Sequence, residues 1–306
     1  MNRFLAIIFC VSFSLLAQSI SVSSITDLSK GMEGSFYYPQ YNSDDSKLVL
    51  TSENYKGIWI YDLISKSINK INDEFGAGYL PMFTNPDIIY YRTDEYVNGM
   101  KYSSLKSYSL KDRNILTLIE NKRFLSEPIR KSGERILYTN NYTPEAFSET
   151  SQSLESLSSS EVIAFIENSD LILYSGGEKK VFNPMGSGNY IWQSISNDNS
   201  KVLFTLAGKG TYITDLSGKV IHEIGKANAP LFSPDGKFVV YMVDKDNGDF
   251  VTESSIWVYS LSNGGKTQLT NANAYKAMYP KWSNSGNKIV FNTTDGKIYE
   301  ISLKID

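Results

Sequence analysis

What most limits how this chain can fold is a block that recurs along it. Tyr279-Pro280-Lys281-Trp282 runs through the turn Ser283-Asn284-Ser285-Gly286-Asn287-Lys288 into the apolar stretch Ile289-Val290-Phe291. Ala229-Pro230-Leu231-Phe232 runs through Ser233-Pro234-Asp235-Gly236-Lys237 into Phe238-Val239-Val240-Tyr241. Tyr38-Pro39-Gln40-Tyr41 leads in the same way to Leu48-Val49-Leu50, and weaker copies start at Pro81, Pro128 and Gln193. Each block reads as a β-meander, in which a strand meets a tight polar turn and a β-branched and aromatic strand follows. One meander cannot bury both of its faces, so the units must stack on each other.

The anchors at 39, 81, 128, 193, 230 and 280 are 42, 47, 65, 37 and 50 residues apart. The gap of 65 is too short for two units near 42, which gives six units. A length of roughly 40–50 residues suits a four-stranded blade. The expected fold is therefore all-β, a six-bladed β-propeller of four-stranded antiparallel blades occupying residues 20–306 as one domain. The last repeat runs out of sequence after its third strand. Residues 21–28 (SVSSITDL) alternate like a strand and are expected to complete blade six, closing the ring and removing two exposed edges.

These copies resemble the PD40, or TolB-like, form of the WD40-like propeller repeat. Ser233-Pro234-Asp235-Gly236 matches its turn outright, and Trp282 with Gly286 matches most of it. The likeness spans about residues 38–303. It implies the propeller fold but little about function, since the same repeat serves binding proteins and the propeller domains of peptidases. TolB carries an additional α/β domain before its propeller. Neither that domain nor a following hydrolase domain is expected here, given the short stretches outside the repeats.

Residues 1–19 (MNRFLAIIFCVSFSLLAQS) join one basic residue, an apolar run and the small residues Ala17 and Ser19. That is the pattern of a secretory signal peptide, and the run is shorter than the roughly 20 residues that span a bilayer. The expected location is the periplasm or the exterior. Cys10, the one cysteine, lies inside this leader, so no disulfide is expected. The net charge of −3 excludes an electrostatic nucleic-acid binder. No other segment is apolar enough to span a membrane.

In a four-stranded meander, the turns from second to third strand share a face with the loops between blades. Residues 92–104, 141–161 and 244–255 fall in the first group, and 31–38, 75–80, 183–190 and 271–279 in the second. The inter-blade loops are rich in Tyr and Gly. Tyr37, Tyr38, Tyr79, Asn189, Tyr190, Tyr275 and Tyr279 are the candidate ligand-binding residues, because each lies just before an inner strand. Two readings fit: packing between blades, or a recognition face using the amphipathic area of Tyr. Trp59, Trp192, Trp257 and Trp282 read as blade core.

Thr143-Pro144-Glu145 resembles a helix start, whereas Ser148 to Ser160 reads as a Ser-rich loop, so 141–161 is expected to be one or the other. An extra strand in blade three has room after Val162. The acidic stretch 244–249 departs from a calcium loop in the place of its Gly and reads as a hairpin turn. His222, the single histidine, is expected on an outer strand, remote from the channel.

The expected function is an exported, non-catalytic binding module with no metal and no cofactor, whose partner is an envelope or extracellular protein, a peptide or a glycan. The alternative is a propeller lyase, lactonase or glycoside-active enzyme using Glu33, Asp94, Glu95 or the 244–249 carboxylates. Carboxylates gathered on the channel would favour the enzyme, aromatic and amide side chains the binder.

Overall fold

In the computed structural model, residues 19–305 are described. The expected leader falls on residues 1–18, outside the described residues, apart from Ser19. The strands form seven antiparallel sheets, six of four strands and one of three. The ring therefore has seven blades, not six.

The miscount lies in the long gap between Pro128 and Gln193. Blade three occupies it with four strands, from Arg130–Ser132 to Ser153–Ser156, and blade four with three, Ile163–Glu167, Asp170–Ser175 and Glu178–Val181. Turns of a meander alternate between its two faces. Counting back from the loop that enters blade five, the turn at Asn168 and Ser169 lies on the face of the inter-blade loops. Ser169 confirms this, since its carbonyl accepts the Tyr190 N–H at the start of blade five. The first turn of a full blade lies on the opposite face, so blade four lacks the innermost strand. With that strand goes the Pro-aromatic-Ser-Asp-Gly signature. Its two turns are minimal, with both central residues at positive φ: Asn168 and Ser169 (52° and 75°), then Gly176 and Gly177 (65° and 87°). Such mirror-image turns close a hairpin in two residues. Glu178–Val181 (EKKV) is wholly exposed, and its charges guard the edge of the sheet.

The segment 141–161 is neither helix nor Ser-rich loop. Thr143–Ser148 and Ser153–Ser156 are the third and fourth strands of blade three, paired from Glu145–Ser156 to Ser148–Ser153. Ala146 and Phe147 are buried there while Leu154 is exposed. Pro144 sits one residue into its strand, where a missing N–H is tolerated.

The polar residue that opens the first turn of blades one, five, six and seven has a definite job. Ser233 is buried, its Oγ donating to Asp235 Oδ1 at 2.6 Å and accepting from Phe238 N at 2.9 Å. Ser196 accepts from Lys201 N, Ser283 from Lys288 N, and Asn42 through its side-chain oxygen from Lys47 N. Each polar side chain satisfies the N–H that opens the second strand, where no ladder partner is present.

Packing then follows from the two-residue period of the strands. In blade one Leu48 and Leu50 pack toward blade seven while Val49 packs toward blade two. In blade seven Ile289 and Phe291 face blade six, and Val290 faces blade one. Among the described residues, the buried apolar side chains fall into seven clusters, one per interface between adjacent blades. Among them no helix is long and apolar enough to cross a membrane.

The expected closing strand is present, on blade seven. Ile20–Asp27 pairs with Ile298–Ile305 from Ile20–Ile305 to Asp27–Tyr299, and Leu28 N–H adds a bond to Ile298 O at 2.9 Å. Deleting residues 20–28 strips this outer strand and exposes the edge of its neighbour. Differential scanning calorimetry should show Tm lower by about 10 °C or more. A synthetic peptide of residues 19–30 should restore most of the loss when added in trans; an unchanged Tm would refute closure by this strand.

Candidate functional site

The residue before the repeat's Pro carries an unusual conformation. Tyr38, Leu80, Trp192, Ala229 and Tyr279 all have φ between 47° and 53°, the left-handed region that side chains disfavour. In blades one, five, six and seven this residue sits in a bulge, where the inner-strand register slips between Tyr37 and Gln40, Ile191 and Ser194, Asn228 and Leu231, and Met278 and Lys281. A bulge re-aims the side chain it carries, and backbone held in this region costs of order 1–3 kcal/mol per residue. All five residues border one cavity of about 160 Å³ in the central channel. The N–H groups displaced from the ladder find partners on the neighbouring blade: Tyr38 N–H donates to Asn292 Oδ1 at 3.1 Å and Tyr279 N–H to Met242 Sδ at 3.4 Å.

Around this opening the aromatic rings touch in series. Tyr279 and Tyr38 have ring centroids 4.5 Å apart, Tyr38 and Tyr55 are 4.4 Å apart, and Tyr55 meets Tyr79 edge-on at 4.9 Å. The arc continues to the Arg92 guanidinium, 5.6 Å from the Tyr79 ring. Burial, with the neighbouring hydroxyls, pushes the Tyr38 phenol well above its usual value, and Tyr79 is raised to about 12. These hydroxyls stay neutral at any physiological pH. Gly78 lets the arc close, because a Cβ there would lie 2.0 Å from Thr51 Oγ1.

The candidate tyrosines therefore separate. Tyr38, Tyr79 and Tyr279 line the cavity. Tyr37 turns aside, its hydroxyl 3.4 Å from Glu53 Oε1. Tyr275 lies on the short helix Ala272–Tyr275 and packs edge-on against Phe291 and Tyr299. Tyr190 is 0% exposed in the cluster between blades four and five, its hydroxyl donating to Gly186 O at 2.8 Å and accepting from Met185 N. Asn189 is exposed and borders a wider neighbouring hollow of about 620 Å³, with Phe124, Glu127 and Tyr142. Among the site residues that the sequence reading missed are Trp192, Tyr55, Gln40, Gln193 and Lys281. Trp192 is not blade core but 38% exposed at the channel. Counting one residue back from its own repeat anchor, Gln193, would have placed it there. Tyr55 lies on the turn between the second and third strands of blade one, on the same face.

The carboxylates do not gather on this cavity. Asp94 and Glu127 border adjoining hollows beside Tyr79, both paired with Arg92: Nε to Asp94 Oδ1 and Nη1 to Glu127 Oε2, each at 3.2 Å. Asp94 also accepts from Ser103 Oγ at 2.6 Å. Residues 92–104 are not a loop but the body of a long hairpin, Ile88–Val97 with Met100–Ser109, in which Glu95 is exposed opposite Tyr102. Residues 244–249 likewise end one strand and turn a second long hairpin, Phe238–Asp246 with Val251–Ser260. There Asp246 Oδ1 accepts from Gly248 N, and Asn247 Oδ1 from Asp249 N and Phe250 N. Glu33 borders a separate hollow with Asp27 and Tyr61. Among the described residues no three His, Cys, Asp or Glu side chains come together as metal ligands. His222 is on the outer strand of blade five, Nδ1 3.2 Å from the Tyr259 hydroxyl.

The fold and this channel define a seven-bladed β-propeller with an aromatic mouth. No family model and no curated protein matches the chain. A chain from the crystal structure of a mitotic checkpoint complex superposes with TM-score 0.56 at 11% identity, covering 99% of this chain and 98% of that one. TolB from Acinetobacter baumannii gives 0.49 at 15% identity over 78% of this chain and 55% of its own. An oligogalacturonate lyase in complex with manganese gives 0.48 at 12% identity, over 89% and 78%. The first of these shows the propeller fold along nearly the whole chain; at such identities none of them extends to activity.

Gly78 offers a test of how tightly the mouth is built. Gly78→Ala should cost about 1–3 kcal/mol, because the new methyl meets buried Thr51. Urea unfolding should show a lower midpoint at an unchanged slope, and Thr51→Gly in the same chain should recover part of it. A neutral Gly78→Ala would mean that the loop gives way freely and the arc is loosely held.

Proposed function

We propose that the protein is an exported, non-catalytic binding module that takes a peptide segment of a partner protein at the channel mouth. The observation that carries this reading is the continuous arc of Tyr279, Tyr38, Tyr55 and Tyr79 beside the opening, backed by strained backbone at five inner-strand positions. Strain of this kind persists where the surrounding structure imposes it, and it concentrates at ligand sites. Aromatic side chains give large contact area at low entropy cost. On the same face stand two long hairpins whose tips expose Tyr96 and Phe250, at 68% and 75%, which adds apolar contact beyond the mouth. The leader pattern at 1–19 supports export. Asp94 and Glu127, in the hollows that adjoin Tyr79, are paired with Arg92, which favours recognition over acid–base catalysis.

Peptides selected from a displayed random library on the wild-type protein provide the test. Tyr79→Ala and Tyr55→Ala should each weaken the selected peptides by about thirtyfold, equivalent to roughly 2 kcal/mol. Asp235→Ala, on the opposite face, should leave affinity unchanged. Equal affinity for all three variants would show that the tyrosines only pack.

A further inference from the structure

Lys281 is the residue the aromatic mouth does not explain. It follows Pro280 on the inner strand of blade seven and lines the channel cavity with Tyr38, Tyr279 and Trp192. Among the described residues bordering that cavity, it alone is charged. Its side chain keeps some accessible surface, yet it lies deep enough among the inner strands that desolvation alone pulls its ammonium down to about 8. No hydrogen bond, ion pair or aromatic face among the described residues meets this ammonium. The side-chain amides of Gln40 and Gln193, which border the same cavity, likewise have no partner there. A desolvated cation without a counter-ion is costly, and the two half-buried amides beside it are free to donate to a ligand that enters the cavity. One cation and two amides facing one cavity form a donor set suited to an anion. The space suits the rest of the ligand as well. Apolar cavities of about 150 Å³ accept a benzene ring, and here the walls are aromatic.

We propose that the channel cavity recognises a carboxylate attached to a ring-sized apolar group, with Lys281 as counter-ion, Gln40 and Gln193 as amide donors, and Tyr38, Tyr279 and Trp192 enclosing the apolar part. This rests on the reading of the mouth as a binding surface and names the chemistry at its floor. The C-terminal carboxylate of a peptide ending in an aromatic residue and a free arylalkanoic acid share that chemistry. Carboxylate binding requires the charged lysine, so affinity should fall as pH rises above about 8. The other titratable groups lining the cavity are Tyr38, Tyr55, Tyr79 and Tyr279. Burial raises the phenols of Tyr38, Tyr55 and Tyr79, so they contribute no charge over that interval.

Calorimetric titration with N-acetylphenylalanine and its neutral isostere N-acetylphenylalaninamide tests the proposal on wild type, Lys281→Met and Lys281→Arg. Wild type should prefer the acid by about tenfold or more, as expected for a charge-assisted bond in a desolvated site. Lys281→Met should lose the preference while still binding the amide, and Lys281→Arg should keep it. Lys281→Met should also melt no lower than wild type, since an unpaired cation is removed, so loss of binding cannot be ascribed to unfolding. A pentapeptide Ala-Ala-Ala-Ala-Phe with a free C-terminus, binding more tightly than N-acetylphenylalanine, identifies a chain terminus as the source; weaker binding identifies a free acid. Equal affinity for acid and amide, or a preference surviving in Lys281→Met, overturns the carboxylate assignment and leaves the aromatic mouth standing. Failure of both probes to bind overturns the pocket. Failure of the mouth itself is read separately, from the Tyr79→Ala peptides.

Discussion

Every blade of this ring is buried on both faces, and that one constraint organises the rest. Successive residues of a central strand serve different interfaces: Val49 packs against blade two, its neighbours Leu48 and Leu50 against blade seven. A single blade would expose one apolar face entirely. Stability therefore belongs to the closed circle and not to any unit within it, which places great weight on the pairing of Ile20–Asp27 with Ile298–Ile305. With one cysteine in the sequence, no internal disulfide can supplement that pairing. The ion pairs that lie largely in solvent, such as Lys70–Asp73 and Lys245–Glu253, add little.

A closed ring also makes strain affordable at its centre. The inner strands are held from behind by their own blades and from the side by their neighbours, so their bulges cannot relax. Five residues are kept at left-handed φ, and what occupies those positions and the ones that follow sets the chemistry of the channel. Tyr279 and Tyr38 build the continuous aromatic side, Trp192 stands apart on blade five, and the small Ala229 sits in blade six between Trp192 and Tyr279. Two positions further along, past the Pro, the same strands present Gln40, Leu231 and Lys281 to the cavity, and on blade five Gln193, one position after Trp192, borders it too. The scaffold repeats while the side chains do not, and this is how a symmetrical frame acquires an asymmetrical site.

The blades that keep the Ser-x-Asp-Gly turn could be read from the sequence, because the turn is needed to cap the second strand and so leaves its mark. Ring closure by the segment near Ser21 could be read as well, from the missing strand at the other end. Blade four could not. Without an inner strand it has no anchor, and its two-residue turns compress it into the space that a single long repeat would fill. Thr143-Pro144-Glu145 misled for a related reason: the residues that begin a helix also tolerate the second position of a strand, and the pairing partner that decides between them is distant in sequence. At the site, Tyr38, Tyr79 and Tyr279 were legible from their place before an inner strand. Tyr190 was placed there by the same rule, but it precedes Gln193 by three residues and its side chain turns into the blade. Lys281 carried no signal at all, since its meaning depends on the absence of a partner, which only three-dimensional packing reveals.

The most direct test of the account is the titration of Lys281 itself, by competitive acetylation read out by mass spectrometry across pH, with and without a bound arylalkanoate. An unpaired, desolvated ammonium should react with a midpoint near 8, well below the usual lysine value, and occupancy of the channel should protect it and move the midpoint upward. A midpoint at the ordinary lysine value, unmoved by the ligand, would mean that Lys281 is hydrated or already paired, and the channel would not be the anion-reading site described.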